Sequence, residues 1–235
     1  MQAMWRTVMI AICGVAALLP LPAFAQDEIV VTASRRQEGA AQVAGIGIRH
    51  RADFAVQRVT VYGDARDKDA RRKEILDTVR DVIQLGTKRG VQLAYGAGII
   101  QPLTLANYAD KLKLEEDDDR DDSQKVDFLI KTPLSDGNAL AAIDRLNSFI
   151  KAAPRVGRAV IEAEGEPGVS IVDPTQYRAA ILAAIAADAT AAAKQFGPDY
   201  AVEVSDLARP VQWVLTGPTE VLLYINHDLK VVPKD

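Results

Sequence analysis

Two periodicities divide this chain. Apolar residues recur at helical spacing in three stretches, beginning with Ile75, Val79, Val82 and Ile83 at i, i+4, i+7 and i+8. Leu140, Ile143, Leu146, Phe149 and Ile150 form a second stripe, and Ile181, Leu182, Ile185, Ala189, Ala192 and Phe196 a third. Each carries start and stop signals. Asp67 is the expected cap of the first helix and Gly90 its end. Ser135 or Asp136 is suited to cap the second, which Pro154 stops. Asp173-Pro174 opens the third and Gly197-Pro198 closes it.

Between the helices the pattern changes to alternation. Residues 54–62 (FAVQRVTVY) and 124–132 (QKVDFLIKT) read as half-buried strands, with Val59 and Val61, then Val126, Phe128 and Ile130, turned inward. Residues 91–105 are extended and interrupted by Gly96, Gly98 and Pro102, which predicts a bulge or a change of strand. Two short strands, 158–163 and 168–172, are expected around a turn at 165–168. Strands at 200–204, 211–215 and 221–232 follow the third helix, the last with a break near Asn226 or Asp228. This order predicts an α+β domain. Its mixed or antiparallel sheet would have about six to eight strands, with three main helices packed on one face. The folded domain is expected over 53–235, and about 180 residues suffice for one core.

The first 52 residues lack this regularity. Residues 1–25 have the form of a secretory signal: Arg6, an apolar run over 8–19, and Ala23-Phe24-Ala25 as a cleavage site. The run is too short for a spanning helix, which needs about 20 apolar residues. Cleavage after Ala25 predicts a periplasmic protein starting at Gln26. It also removes the one cysteine, Cys13, so no disulfide, thiol nucleophile or thiolate metal site is expected. The net charge of −4 argues against nucleic acid as the main partner.

Residues 27–36 (DEIVVTASRR) resemble a TonB box, the segment with which TonB-dependent outer-membrane receptors pair with TonB by strand addition. Ile29, Val30, Val31 and Thr32 favour extended structure and are the tentative partner-binding residues. A receptor barrel does not fit behind them, because 22 strands of about ten residues exceed the chain that remains. The competing expectation is an extended, disordered arm over 26–52.

Histidine, the commonest acid–base catalyst, occurs only as His50 and His227. His50 lies between Arg49 and Arg51 and is expected to be solvated; His227 falls in the predicted strand break. No serine sits in a nucleophile elbow. Glu162 and Glu164 share a strand face at i, i+2, where an exposed sheet surface explains them more simply than a carboxylate pair. The acidic run 115–122 (EEDDDRDD) lacks the glycine and the closing glutamate of an EF-hand loop and reads as a solvated loop. No catalytic, cofactor or metal site is expected.

The third helix is rich in alanine on its other face: Ala179, Ala183, Ala186, Ala187 and Ala191. Alanine there is either the best former of a solvated helix or a surface for close packing. Residues 177–197 open with Tyr-x-x-Ala-Ile, continue with spaced alanines and end in glycine. With VLLYINHDLKVV at 221–232, RVTVYGDARD at 58–67 and GVQLAYGAGIIQPL at 90–103, this pattern resembles the SIMPL-domain family of secreted or periplasmic bacterial proteins. The resemblance spans roughly 54–233. It implies a non-enzymatic, homo-oligomeric envelope protein loosely tied to oxidative-stress tolerance, and it carries no catalytic residues. The alternative is a TonB-linked binding module docking through 27–36.

Overall fold

The computed structural model describes residues 27–31, 46–117, 122–134 and 138–234. The expected signal segment 1–25 lies outside them. The longest strands form the centre. β3 (Phe54–Gly63) lies between β7 (Gln124–Pro133) and β8 (Val160–Val172), antiparallel to both. From β7 the ring continues through β4 (Gln92–Tyr95), β5 (Ile99–Pro102) and β1 (Glu28–Val31), and returns to β8. All six neighbours are antiparallel, so the ring closes.

The open or mixed sheet expected from alternation is therefore wrong: the sheet is a closed six-stranded antiparallel barrel. The physical reason is visible along β3 and β7. Ala55-Val56 and Phe128-Leu129-Ile130 are buried at consecutive positions, which a sheet with one wet face does not need. One set of side chains (Ala55, Val59, Val61, Phe128, Ile130) joins the core outside the barrel, and the alternate set (Val56, Leu129, with Ala94 and Ile100) fills its lumen. A barrel this narrow is packed with side chains rather than hollow.

Among the described residues there are four helices, one more than the three main ones expected. α1 (Lys68–Arg89) follows its pattern: the Asp67 carboxylate accepts from Ala70 N at 2.8 Å, and Gly90 ends it in the left-handed region at φ 67°. Its stripe packs on β3, β4 and β7. The short α2 is Tyr108–Lys111, and α3 (Ala139–Lys151) buries Ala142, Leu146 and Phe149 against the barrel. Asn138 caps α3 through its side-chain oxygen, whereas Ser135 and Asp136 lie outside the described residues. At the third expected helix, Asp173 sits at φ 44° and caps nothing; a 3-10 turn (Pro174–Tyr177) precedes α4 (Arg178–Phe196).

The turn expected at 165–168 is instead a bulge inside one continuous strand. Val56 pairs with Gly168 but Arg58 with Glu164, so β8 carries two extra residues there. Gly165 takes φ 65° at little steric cost. The buried Gln57 amide satisfies the bulge, donating to the carbonyls of Glu164 (2.8 Å) and Gly165 (3.3 Å).

Two smaller sheets complete the molecule. β2 (Ile48–Arg51), β11 (Glu220–Tyr224) and β10 (Gln212–Leu215) form a three-stranded sheet, and its Val221 and Leu223 share the outer core with Ile181 and Ile185 of α4. Among the described residues, β9 (Tyr200–Ser205) and β12 (Asp228–Pro233) pair only with each other. β6 (Glu115–Glu116) merely extends the end of β7.

The expected N-terminal arm is overturned where it is described. Residues 28–31 are the strand that closes the barrel, and 48–51 are a strand of the second sheet. Inside the lumen the Glu28 carboxylate is paired with Lys131 Nζ and accepts from Ser170 Oγ. All three side chains are buried. Lys131 Nζ also lies 4.2 Å from the centroid of the Phe54 ring.

Breaking a buried pair leaves one charge unpaired and costs about 3–5 kcal/mol, whereas replacing both charges with apolar groups is often nearly neutral. Lys131→Met and Glu28→Gln should each lower the stability measured by urea unfolding by about that amount, and Glu28→Leu/Lys131→Met should recover most of it. A loss in the double variant equal to the sum of the two single losses would show that the pair is not coupled.

Candidate functional site

The barrel lumen holds the molecule's most buried polar cluster, and its chemistry is limited by its donors. Lys131 and Ser170 both direct their hydrogens at Glu28. The serine is thus held by a carboxylate, while the lysine is committed to the same acid. With Phe54, Val56, Ala94, Ile100 and Leu129 around it, the cluster is largely shielded from water. It can hold a strand in register.

The tentative docking residues belong to this assembly. Ile29 is 2% exposed and pairs with Ile99 on one side and Ile171 on the other. Val30 is half-buried on the lumen side, Val31 pairs with Val169, and Thr32 lies outside the described residues. Both backbone edges at Ile29 are occupied, so this segment can add to another sheet only by leaving the barrel.

Beyond the lumen, the long strands β3, β7 and β8 present a polar face at one mouth. Register places Tyr62, Lys125 and Val160 abreast, then Thr60, Asp127 and Glu162, then Arg58, Leu129 and Glu164. Tyr62 donates to Glu164 at 2.7 Å and Thr60 to Asp127 at 2.6 Å. The hydrogen bond to Glu164, followed by burial and the carboxylate's charge, pushes the Tyr62 phenol up to about 12. Glu164 is thus engaged as an acceptor, while Glu162 on the same face is exposed.

His50 was expected to be solvated. It stacks on Tyr177 with ring centroids 4.5 Å apart, and its Nε2 lies 2.8 Å from the Tyr177 hydroxyl and 3.9 Å from Asp53 Oδ1. Burial first, then the charges of Asp53 and Asp173, hold the Tyr177 phenol above its ordinary range. Asp53 Oδ2 accepts from Val172 N at 2.8 Å, so this cluster ties β2 and β8 to the base of α4. Sequence offered no signal for it, because His50 and Tyr177 are far apart in the chain. His227 turns its Nδ1 to the carbonyl of Ile225 at 2.7 Å, in the break between β11 and β12.

Among the described residues no three His, Cys, Asp or Glu side chains are placed to hold a metal. In the acidic run, residues 118–121 lie outside the described residues, and Asp117 lies 3.9 Å from Lys125. A cleft of about 560 Å3 between the end of α1 and β4–β5 is lined by Ile83, Leu93, Leu103, Leu105 and neighbours, none of them titratable.

The remaining feature is an arm made of α4 and the two-stranded β9–β12 sheet. Ile181, Ile185 and Ala189 are the buried residues of α4. Its alanine face is uncovered: Ala179, Ala183, Ala186, Ala187 and Ala191 are exposed. The segment Pro174–Phe196 is long and apolar enough to cross a membrane by length and composition, with 11% of its most apolar window buried. On that sheet, register puts Tyr200, Val202 and Val204 on one face with Leu229 and Val231. Val202 and Val204 are half-buried beside α4. Leu229 and Val231 on β12 remain 39% and 37% exposed, and at the tip Phe196 and Tyr200 are 55% and 42% exposed. Of the seven large apolar residues exposed among the described residues, four are on this arm, which makes it the main uncovered apolar surface. Comparison with protein-family models, characterised proteins and solved structures finds no match.

The Tyr62 contact is open to a direct check. In a 295 nm absorbance titration, one tyrosine should keep its proton until about pH 12. Tyr62→Phe should delete that step and Glu164→Gln should bring it back toward the ordinary value near 10. Because the folded value is the raised one, the stability contributed by protonated Tyr62 is complete below pH about 10 and lost as pH rises toward 12. A Tyr62 that ionises with the others would refute the contact.

Proposed function

We propose that this chain is an exported, periplasmic protein of SIMPL type that acts without catalysis, by self-assembly through the arm formed by α4 and the two-stranded β9–β12 sheet. The observation that carries this reading is the state of that sheet. A two-stranded sheet on its own is marginal in water, and among the described residues this one has two unpaired backbone edges and a half-covered apolar face. Exposed edges are templates for another chain, and contiguous apolar surface marks an interface. A second copy supplies a matching edge and a matching apolar face, as a symmetric interface requires.

The signal-like start at 1–25 and the loss of the only cysteine with it support the periplasm. The tie to envelope and oxidative-stress tolerance comes with the resemblance to the SIMPL family alone.

Light scattering coupled to size exclusion on the chain from Gln26 should give an oligomer at micromolar concentration. Leu229→Lys with Val231→Lys places two charges on the uncovered face and should weaken association about ten- to a hundredfold, the order expected from two lost apolar contacts. A strict monomer, or an oligomer indifferent to these substitutions, removes the arm from the account.

A further inference from the structure

The strand that completes the barrel is the first of the ring's strands in chain order. β1 contributes four residues and arrives from the N-terminal end. It can therefore leave without unthreading any other part of the chain. It pairs with β8 over all four residues and with β5 over two, and the ends are tied by Asp173 N to Asp27 O at 2.7 Å and Val30 N to Gly98 O at 3.2 Å. These are backbone bonds, which any extended peptide could make.

Selection comes from the side chains. Glu28 points into the lumen, where Lys131 and Ser170 both address its carboxylate. Ile29 points the other way, into the outer core, and Val30 returns to the lumen beside Val56, Ala94, Ile100 and Leu129. Without β1 the ring has two unpaired edges, β5 and β8, and Lys131 is left without its acid. The vacated groove then accepts an extended strand reading acid, then branched apolar residues.

We propose that the gap between β5 and β8 is a strand-binding groove, filled in cis by Glu28–Val31 and open to the same strand from a second copy of this chain. The source is argued from chemistry and reach. Another copy carries the required Glu-Ile-Val-Val in the same terminal position. The fourteen residues between Val31 and Ile46 span at most about 50 Å when extended, enough to reach a neighbouring barrel. Exchange of an identical element is a common route to dimers. This inference uses a surface separate from the arm and stands or falls without it.

The test is a charge swap in a background carrying Leu229→Lys and Val231→Lys, so that arm-driven association does not interfere. One chain carries Glu28→Lys and the other Lys131→Glu. Each alone places like charges in its own lumen; together each strand matches the other's groove. Co-refolded and passed over size exclusion with light scattering, the mixture should give a one-to-one heterodimer that neither variant forms alone. A labelled peptide of residues 26–32 should bind the Glu28→Lys chain about a hundredfold more tightly than it binds the chain with its own strand in place, and lose about as much when its Glu becomes Gln. If either variant is unfolded alone, the readout is recovery of cooperative melting on mixing or on adding peptide. No heterodimer and no peptide binding overturns the groove. Peptide binding without a heterodimer overturns the second copy as its source.

Discussion

A lysine and a glutamate facing one another inside a six-stranded ring organise this protein. Neither charge is tolerable there alone: away from water each carries a desolvation cost of several kcal/mol that only an opposite charge and good hydrogen bonds offset. Lys131 lies on a central strand and Glu28 on the terminal one. The pair therefore does more than fill space. Among the described strands, β1 is the one that sets a carboxylate beside Lys131. Ser170 adds a second hydrogen bond to the same carboxylate.

Closure divides the molecule into two kinds of surface. In the body, the ring leaves no edge over most of its length, and helices α1 and α3 cover its apolar exterior. In the arm the reverse holds: among the described residues two short strands have only each other, and a nineteen-residue helix buries three side chains. The body closes on itself and the arm does not. The cluster of His50, Tyr177 and Asp53 stands at the joint, fastening β2, β8 and the turn before α4. It belongs to the framework by its contacts, although its residue types alone suggest chemistry.

Local features were legible and closure was not. The α1 stripe, its Asp67 cap and its Gly90 stop could be read directly, because helix periodicity and capping involve neighbours in sequence. The lumen has no such signature, since ring closure depends on four residues near the N-terminus meeting partners far along the chain. One signal was present and misread: Phe128-Leu129-Ile130 is apolar at successive positions, which alternation with a wet face does not produce. The same local pattern makes DEIVVT resemble a docking strand. β-Branched residues after an acid suit any sheet that needs them, and here the nearest such sheet is the protein's own. The bulge at 164–168 looked like a turn because a glycine with positive φ serves both.

The most direct measurement is native-state hydrogen exchange on the amides of β1, β5 and β8, compared with those of β3 and β7. If residues 28–31 close the ring, Val169–Val172 amides facing β1 should exchange with the slow, cooperative behaviour of the central strands, and the amides of β1 itself should share it. Fast exchange along that seam, at the rate of the free edges of the β9–β12 sheet, would mean that the barrel is open and that the account is wrong at its centre.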